Sequence, residues 1–145
     1  MIARYGDAPE EGRRYTLRPG AYAILERDGA LLLTHQETPW PEFQLPGGGI
    51  DAGEQPLAAL YREVYEETGW HIARPRRLGA FRRFTFMPEY DLWAEKLCII
   101  YAAFPVRPVE APREPGHTAH WVPPDVAVDV LGNPGDADFV RRCLL

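Results

Sequence analysis

Apolar and polar positions along the chain alternate between strand-like and helix-like periods. Two apolar runs, residues 21–25 and 30–34, flank Asp28-Gly29, a pair favoured in two-residue hairpin turns. The second run is apolar on both faces, which predicts a central strand. Residues 1–16 are polar and without period, and read as a loose N-terminal arm. Residues 37–53 hold Pro39, Pro41, Pro46 and the triplet Gly47-Gly48-Gly49, and predict an irregular loop. A helical period takes over from Gln55 to Thr68, with Pro56 suited to its first turn and Gly69 to the position past its end. Residues 77–86 and 96–104 then read as strands joined by a turn at 88–91. Residues 105–117, rich in proline and charge, predict a long loop. A short strand at 119–122, a helical turn at 125–131 and a last helix capped by Asn133 or Asp136 complete the pattern. No repeat or linker interrupts it, so residues 1–145 read as a single domain with an arm at 1–16.

The predicted helix carries the informative chemistry. Advancing ~100° per residue puts Leu57, Leu60, Tyr61, Val64 and Thr68 on one stripe, predicted to be buried. Glu63, Glu66 and Glu67 fall on another face at i, i+3, i+4 spacing, where side chains are close neighbours. Neighbouring carboxylates repel and weaken a helix by a few tenths of a kcal/mol per pair, and a divalent cation reverses that sign. All-oxygen ligands suit Mg²⁺ or Mn²⁺ better than zinc. Arg62 precedes Glu66 by four residues and is placed to pair with it. By itself such a triplet is more often a solvated acidic face. The glycine triplet just upstream shifts the balance, because glycine lets backbone N–H groups approach phosphate oxygens.

Composition narrows the setting. The 145 residues are 46% hydrophobic and 26% charged, with a formal net charge of −5. That balance disfavours a duplex nucleic-acid binder working by charge alone, but admits a small phosphorylated ligand if a metal supplies local positive charge. Cys98 and Cys143 have no CxxC spacing and read as reduced, buried, structural residues. No apolar run approaches the ~20 residues of a membrane span and the N-terminus lacks a signal-type apolar segment, so a cytoplasmic location is expected. A homodimer stays open.

From Gly48 onward the residues match a known pattern: glycine, five residues, glutamate, seven residues, then Arg-Glu-apolar-x-Glu-Glu-x-Gly-apolar. Those places are Gly48, Glu54, Arg62, Glu63, Val64, Glu66, Glu67, Gly69 and Trp70. This run resembles the box of the Nudix hydrolases of MutT type. It covers 23 of 145 residues with every defined place filled. Leu45-Pro46-Gly47-Gly48 resembles the family's lead-in, and Trp121-Val122-Pro123-Pro124 a strand and turn found late in the domain.

The resemblance implies an α/β fold, an α/β/α sandwich around a mixed β-sheet. It implies hydrolysis of a nucleoside diphosphate linked to another group: a nucleoside triphosphate, an oxidised nucleotide, a dinucleoside polyphosphate or similar. Glu63, Glu66 and Glu67 would bind Mg²⁺ or Mn²⁺, with Glu66 or Glu63 alternatively activating water. Arg62 would act with them, and Glu54 would support the site. Gly47 and Gly48 would shape the phosphate-binding bend. An extra acid is drawn in some relatives from a later loop, where Glu95, Glu110 and Glu114 are candidates here.

The pattern departs from the family elsewhere. A glutamate often found three residues before the late tryptophan is Thr118. The places that mark ADP-ribose or dinucleoside polyphosphate specificity hold Thr85 and Met87, with Pro88 and Tyr90 displaced by three residues. The alternative function is a catalytically inactive nucleotide-sensing module, and a third reading is a structural acidic domain. Loss of catalysis usually erodes the box, which is intact. Among the remaining residues, His117 and His120 read as ordinary loop histidines and His35 and His71 as structural. Arg74, Arg76, Arg77, Arg82 and Arg83 form a basic cluster that either steers substrate or guards a strand edge. Trp40, Phe43, Phe84 and Trp93 are candidates for stacking on a base, although core packing is the commoner fate.

Overall fold

The structure, a computed structural model, describes residues 2–145. In chain order the elements are β1 (Ala3–Tyr5), β2 (Thr16–Arg27), β3 (Ala30–Gln36), β4 (Glu42–Gln44), β5 (Gly47–Gly49), α1 (Pro56–Thr68), β6 (Trp70–Met87), β7 (Leu92–Pro108), β8 (His117–Val122), α2 (Pro124–Val130) and α3 (Pro134–Leu144). The sheet runs β1-β6-β7-β2-β3-β4, with β5 on β2 and β8 on β3. β2 lies parallel to β7 and β1 parallel to β6, while the other pairs are antiparallel. The sheet is therefore mixed, as expected.

Period-two alternation builds two cores on opposite faces of this sheet. Ala21, Ala23 and Leu25 of β2 join Leu60 and Val64 of α1. Ile24 of β2 joins Phe81, Cys98 and Ile100 under Ala137, Phe139 and Val140 of α3. Helices thus cover both faces, α1 on one and α2 with α3 on the other. Asp28 and Gly29 both take positive φ, 52° and 80°, as the predicted two-residue hairpin requires. Leu31, Leu32, Leu33 and Thr34 are all buried, so β3 is the interior strand that its apolar run indicates. Among the described residues no helix is long and apolar enough to cross a membrane.

Several expectations need correction. The arm is not wholly loose, since residues 3–5 add an edge strand to β6. The loop 37–53 contains β4 and β5: the glycine triplet is a strand, because without side chains it can lie against β2. The strands around the 88–91 turn are far longer than predicted. The predicted long loop shrinks to residues 109–116, with β7 reaching Pro108 and β8 starting at His117. On α1 the buried residues are Ala59, Leu60, Val64, Glu67 and Thr68, while Leu57 and Tyr61 are 44% and 41% exposed. The stripe is rotated towards Glu67, whose carboxylate turns under the helix to meet β5. Cys98 is buried as predicted, but Cys143 is exposed.

Candidate active site

The helix that positions the acids is fixed at both ends. Pro56 occupies its first turn, and Gly69 closes it in the left-handed conformation, donating from N to the Tyr65 carbonyl at 2.8 Å. The late loop then docks on this end. The N–H groups of Arg113 and Glu114 donate to the Glu66 carbonyl at 2.8 and 3.1 Å, and that of Val109 to the Gly69 carbonyl at 2.8 Å. Helix-end carbonyls that would otherwise lack partners thereby hold the segment carrying Glu114 beside the acids.

Arg62 is the hub of the helix face. Its Nε and Nη2 donate to the two carboxylate oxygens of Glu54 at 2.9 and 2.8 Å, a bidentate fork of the strong, orienting kind. Nη1 donates to Glu63 Oε1 at 2.7 Å and Nη2 to the Gly49 carbonyl at 3.1 Å. Glu66 Oε2 lies 3.6 Å from Nη1, so the predicted Arg62–Glu66 pairing is real but secondary. The fork, with the Asp51 N–H, holds Glu54 down to about 2.

Glu67 sits differently. Its Oε1 accepts from the Gly47 N–H at 3.0 Å, and its Oε2 lies 3.5 Å from His117 Nε2. Burial pushes this carboxyl up to about 8, against the pull of the Gly47 N–H, and Glu63, Glu114 and Glu66 push it further. Glu63 is also raised, first by burial, with Arg62 opposing. The Gly47 N–H is thus taken by Glu67 and is not free for a phosphate oxygen. Gly48 shows why this place excludes a side chain: a Cβ there would lie 2.5 Å from the Glu63 carboxylate.

The donor set fits a hard divalent cation. Glu63, Glu66, Glu67 and Glu114 supply only oxygen, and Glu63 and Glu67 are raised first by burial and further by their acidic neighbours. As they stand, among the described residues, no three His, Cys, Asp or Glu side chains converge tightly enough to hold an ion, and Glu63 is bonded to Arg62. Of the later-loop candidates, Glu114 reaches the cluster, close enough to press charge on both Glu63 and Glu67. Glu110 is bound by Arg113 and the Tyr65 hydroxyl, and Glu95 by Arg82 at 3.3 Å. His117, an ordinary loop histidine by its sequence, contacts Glu67. No local pattern signals this contact, since it depends on where β8 joins β3.

A cleft lies beside this cluster and is lined by one of its acids, Glu67. Gly47, Gly48, His117, Lys96, Asp136, Trp40 and Tyr90 line it too. Thr85 and Met87 also line it, so the family's specificity places do face the cleft, as does the displaced Tyr90. Of the aromatic candidates only Trp40 lines the cleft. Phe43 packs against His35 and His120, and Phe84 and Trp93 against Tyr15. His71 stacks on Tyr65.

A family model described as the NUDIX domain matches residues 15–143. An 8-oxo-(d)GTP phosphatase from Mycolicibacterium smegmatis is 33% identical over 104 residues, 71% of this chain and 30% of that protein. An RNA pyrophosphohydrolase from Halorhodospira halophila is 40% identical over 67 residues, 46% and 37% of the two chains. The chain spans half or less of the length of the curated relatives it matches. Among solved structures, a MutT protein from Bacillus halodurans superposes with TM-score 0.70 at 22% identity, over 86% of this chain and 80% of that one. A NUDIX hydrolase from Nitrosomonas europaea gives 0.70 at 18%, over 88% and 89%. At these identities the structural likeness speaks for the fold.

Proposed function

Because the chain belongs to the Nudix family, we propose that it is a metal-dependent hydrolase cutting the pyrophosphate bond of a nucleoside diphosphate joined to another group. One observation carries this reading: a buried carboxylate, Glu67, lines a cleft with three further glutamates pressing charge upon it. A stability-driven sequence has no use for that arrangement, and a cation-binding one does.

Glu63, Glu66, Glu67 and Glu114 would hold Mg²⁺ or Mn²⁺, which when bound neutralises phosphate oxygens and lowers the pKa of coordinated water. Glu67 is fixed by Gly47 and His117 and acts as an anchor. Arg62 and Glu54 hold the orientation of Glu63 and lock the Gly48 bend to the helix. Glu66 has the loosest tether of the box acids, 3.6 Å to Arg62, and is the carboxylate free to accept the proton of the attacking water. Trp40 and Tyr90 offer stacking faces for a base, worth roughly 1–3 kcal/mol. A nucleoside triphosphate, an oxidised nucleotide and 5′-triphosphorylated RNA are the substrate candidates that the relatives' names suggest. The setting is cytoplasmic and reducing, in keeping with free Cys98 and Cys143.

The test is a substrate panel assayed with Mg²⁺, with Mn²⁺ and with chelator. Release of phosphate, pyrophosphate or a nucleoside monophosphate only in the presence of metal supports the reading. Tight nucleotide binding without turnover on any substrate returns the chain to a sensor.

A further inference from the structure

The cleft carries a second charged feature that hydrolysis at the acidic end leaves unexplained. Lys96 of β7 is registered against Arg18 of β2 on one side and against Arg83 of β6 on the other. Residues on one rung of a ladder point to the same face, so three cations stand in a row across three adjacent strands. All three are half-buried. Like charges directly opposite one another destabilise a sheet. Even so, among the described residues, none of the three belongs to an ion pair. Arg82, the neighbour of Arg83 on the other face, does have its carboxylate in Glu95. Lys96 and Arg83 line the cleft. Arg18 lies 4.4 Å over the ring of Tyr90, which lines it too.

The acids that share this part of the cleft are Asp136, Glu42 and Glu89. Asp136 is buried, and burial pushes its carboxyl up to about 7, although the Leu45 N–H holds it and Lys96 and Arg83 both pull it down. Glu42 accepts from Trp40 Nε1 at 2.7 Å. Among the described residues the three cations thus share a partly desolvated place with acids that none of them pairs with, where an anion would gain charge-assisted hydrogen bonds.

Its distance from the acids decides which anion. Gly47, whose N–H holds Glu67, is registered against Tyr22 of β2. Arg18 lies four residues earlier in that strand, roughly 13 Å away at about 3.3 Å per residue. That backbone separation exceeds the length of a single pyrophosphate and suits a group carried across a nucleoside.

We propose that Arg18, Lys96 and Arg83 form a second anion subsite, which takes a phosphate ester placed one nucleoside away from the pyrophosphate that is cut. Its place relative to a pyrophosphate that is cut rests on the hydrolase reading above, whereas the anion binding itself does not. The same chemistry is presented by a nucleoside 3′-phosphate and by the first phosphodiester of a 5′-phosphorylated RNA strand.

Calorimetric titration in metal-free buffer tests it, with a nucleoside 5′-monophosphate, the matching 3′,5′-bisphosphate and a 5′-phosphorylated dinucleotide as probes. The wild type binds the bisphosphate or the dinucleotide at least ~10-fold tighter than the monophosphate, and a folded Lys96→Met/Arg83→Gln variant binds all three alike. Should the double variant not fold, Lys96→Gln alone carries the comparison. Equal affinities in the wild type, or an undiminished preference in the folded variant, overturn the subsite. A stronger dinucleotide identifies an RNA end as the ligand and a stronger bisphosphate a mononucleotide, and either supports the subsite. No metal or turnover enters these titrations. Absent hydrolysis with a retained preference therefore removes the enzyme reading alone, and hydrolysis without a preference removes the subsite alone.

Discussion

The two ends of the cleft manage their charge in opposite ways. At the acidic end, Arg62 gathers Glu54 and Glu63 through hydrogen bonds that also reach the Gly49 carbonyl. Glu63 and Glu67 are raised all the same, first by burial and then by the acids around them. At the other end, Arg18, Lys96 and Arg83 stand side by side, with no ion pair of their own among the described residues. One end is organised around an internal counter-ion and still needs more positive charge. The other is organised around none. Under the two proposals above, a cation at the acids and an anion at the row give the charge order of a metal-bound phosphorylated ligand.

The acidic end gives the largest expected effects. Glu66→Gln and Glu67→Gln each lower metal-dependent kcat/KM on the order of 10³-fold, the scale for losing one preorganised electrostatic element. The fold survives in both. A glutamine in place of Glu67 still accepts the Gly47 N–H through its amide oxygen, and the Glu66 side chain is partly exposed. Steady-state kinetics with circular dichroism on the same samples reads both parts. Wild-type turnover in a folded double variant would end the metal-site assignment.

Arg62→Lys comes next. Lysine keeps the charge but not the fork, so Glu54 and Glu63 lose their common clamp. Activity falls about 10–100-fold, as for loss of other groups that orient ligands, and the midpoint of metal-free urea unfolding drops. An unchanged midpoint would mean that the clamp orients the site without holding the helix to its loop.

Proton binding sharpens the contrast further. Glu67 and Asp136, raised by burial to about 8 and about 7, bind protons in the folded state that they release in the unfolded chain. Stability from these groups is present at low pH and is lost as pH rises from about 4 towards 8. Metal-free protein is expected to lose stability steadily across that window, since each proton released costs up to ~1.4 kcal/mol per pH unit. Mg²⁺ restores stability most at the alkaline side, where it no longer competes with the Glu67 proton. Glu54 works the other way, since its lowered carboxyl contributes above its unfolded value and is lost only as pH falls towards 2. Chemical denaturation from pH 5 to 8, with and without Mg²⁺, gives the slope, and a metal-free stability that rises with pH would contradict the assignment.

What sequence reveals about the two ends differs for a physical reason. The acids, Arg62 and Gly48 fall within one contiguous run whose spacing follows the helical period, so their grouping is visible without any tertiary information. The helix, its proline start and its Gly69 stop are legible for the same reason, as is the Asp28-Gly29 hairpin. The rotation of the helix is not, because Glu67 is buried by a hydrogen bond to a glycine strand that glycine and proline content alone assigns to a loop. The cationic row is invisible as a row. Proximity in sequence groups Arg83 with Arg82, Arg77, Arg76 and Arg74, yet its neighbours on the sheet are Lys96 across a hairpin and, beyond it, Arg18 across a parallel pairing. Parallel register links distant parts of the chain and has no local signature. His117 is equally hidden, and Glu114 is one of three late-loop candidates in the sequence that only the loop capping α1 singles out.

The smallest expected effect is the most discriminating for the row. If Lys96 sits between two like charges with no counter-ion, removing its charge relieves repulsion. Lys96→Met keeps most of the stem length and the apolar packing, and is expected to raise stability by ~0.5 kcal/mol, within the range for cross-strand charge pairs. For a domain of this size that is about 1–2 °C in Tm. Arg82→Gln is the internal control, one residue from Arg83 but facing the other way, and it removes the ion pair with Glu95. It leaves stability unchanged or lower. Low salt enlarges the gain in Lys96→Met, because screening weakens repulsion between partly exposed charges, and added phosphate abolishes it by stabilising only the wild type. A Lys96→Met variant that melts below the wild type at every salt concentration would show that the lysine already has a partner within the fold, and the contrast between the two ends of the cleft would be lost.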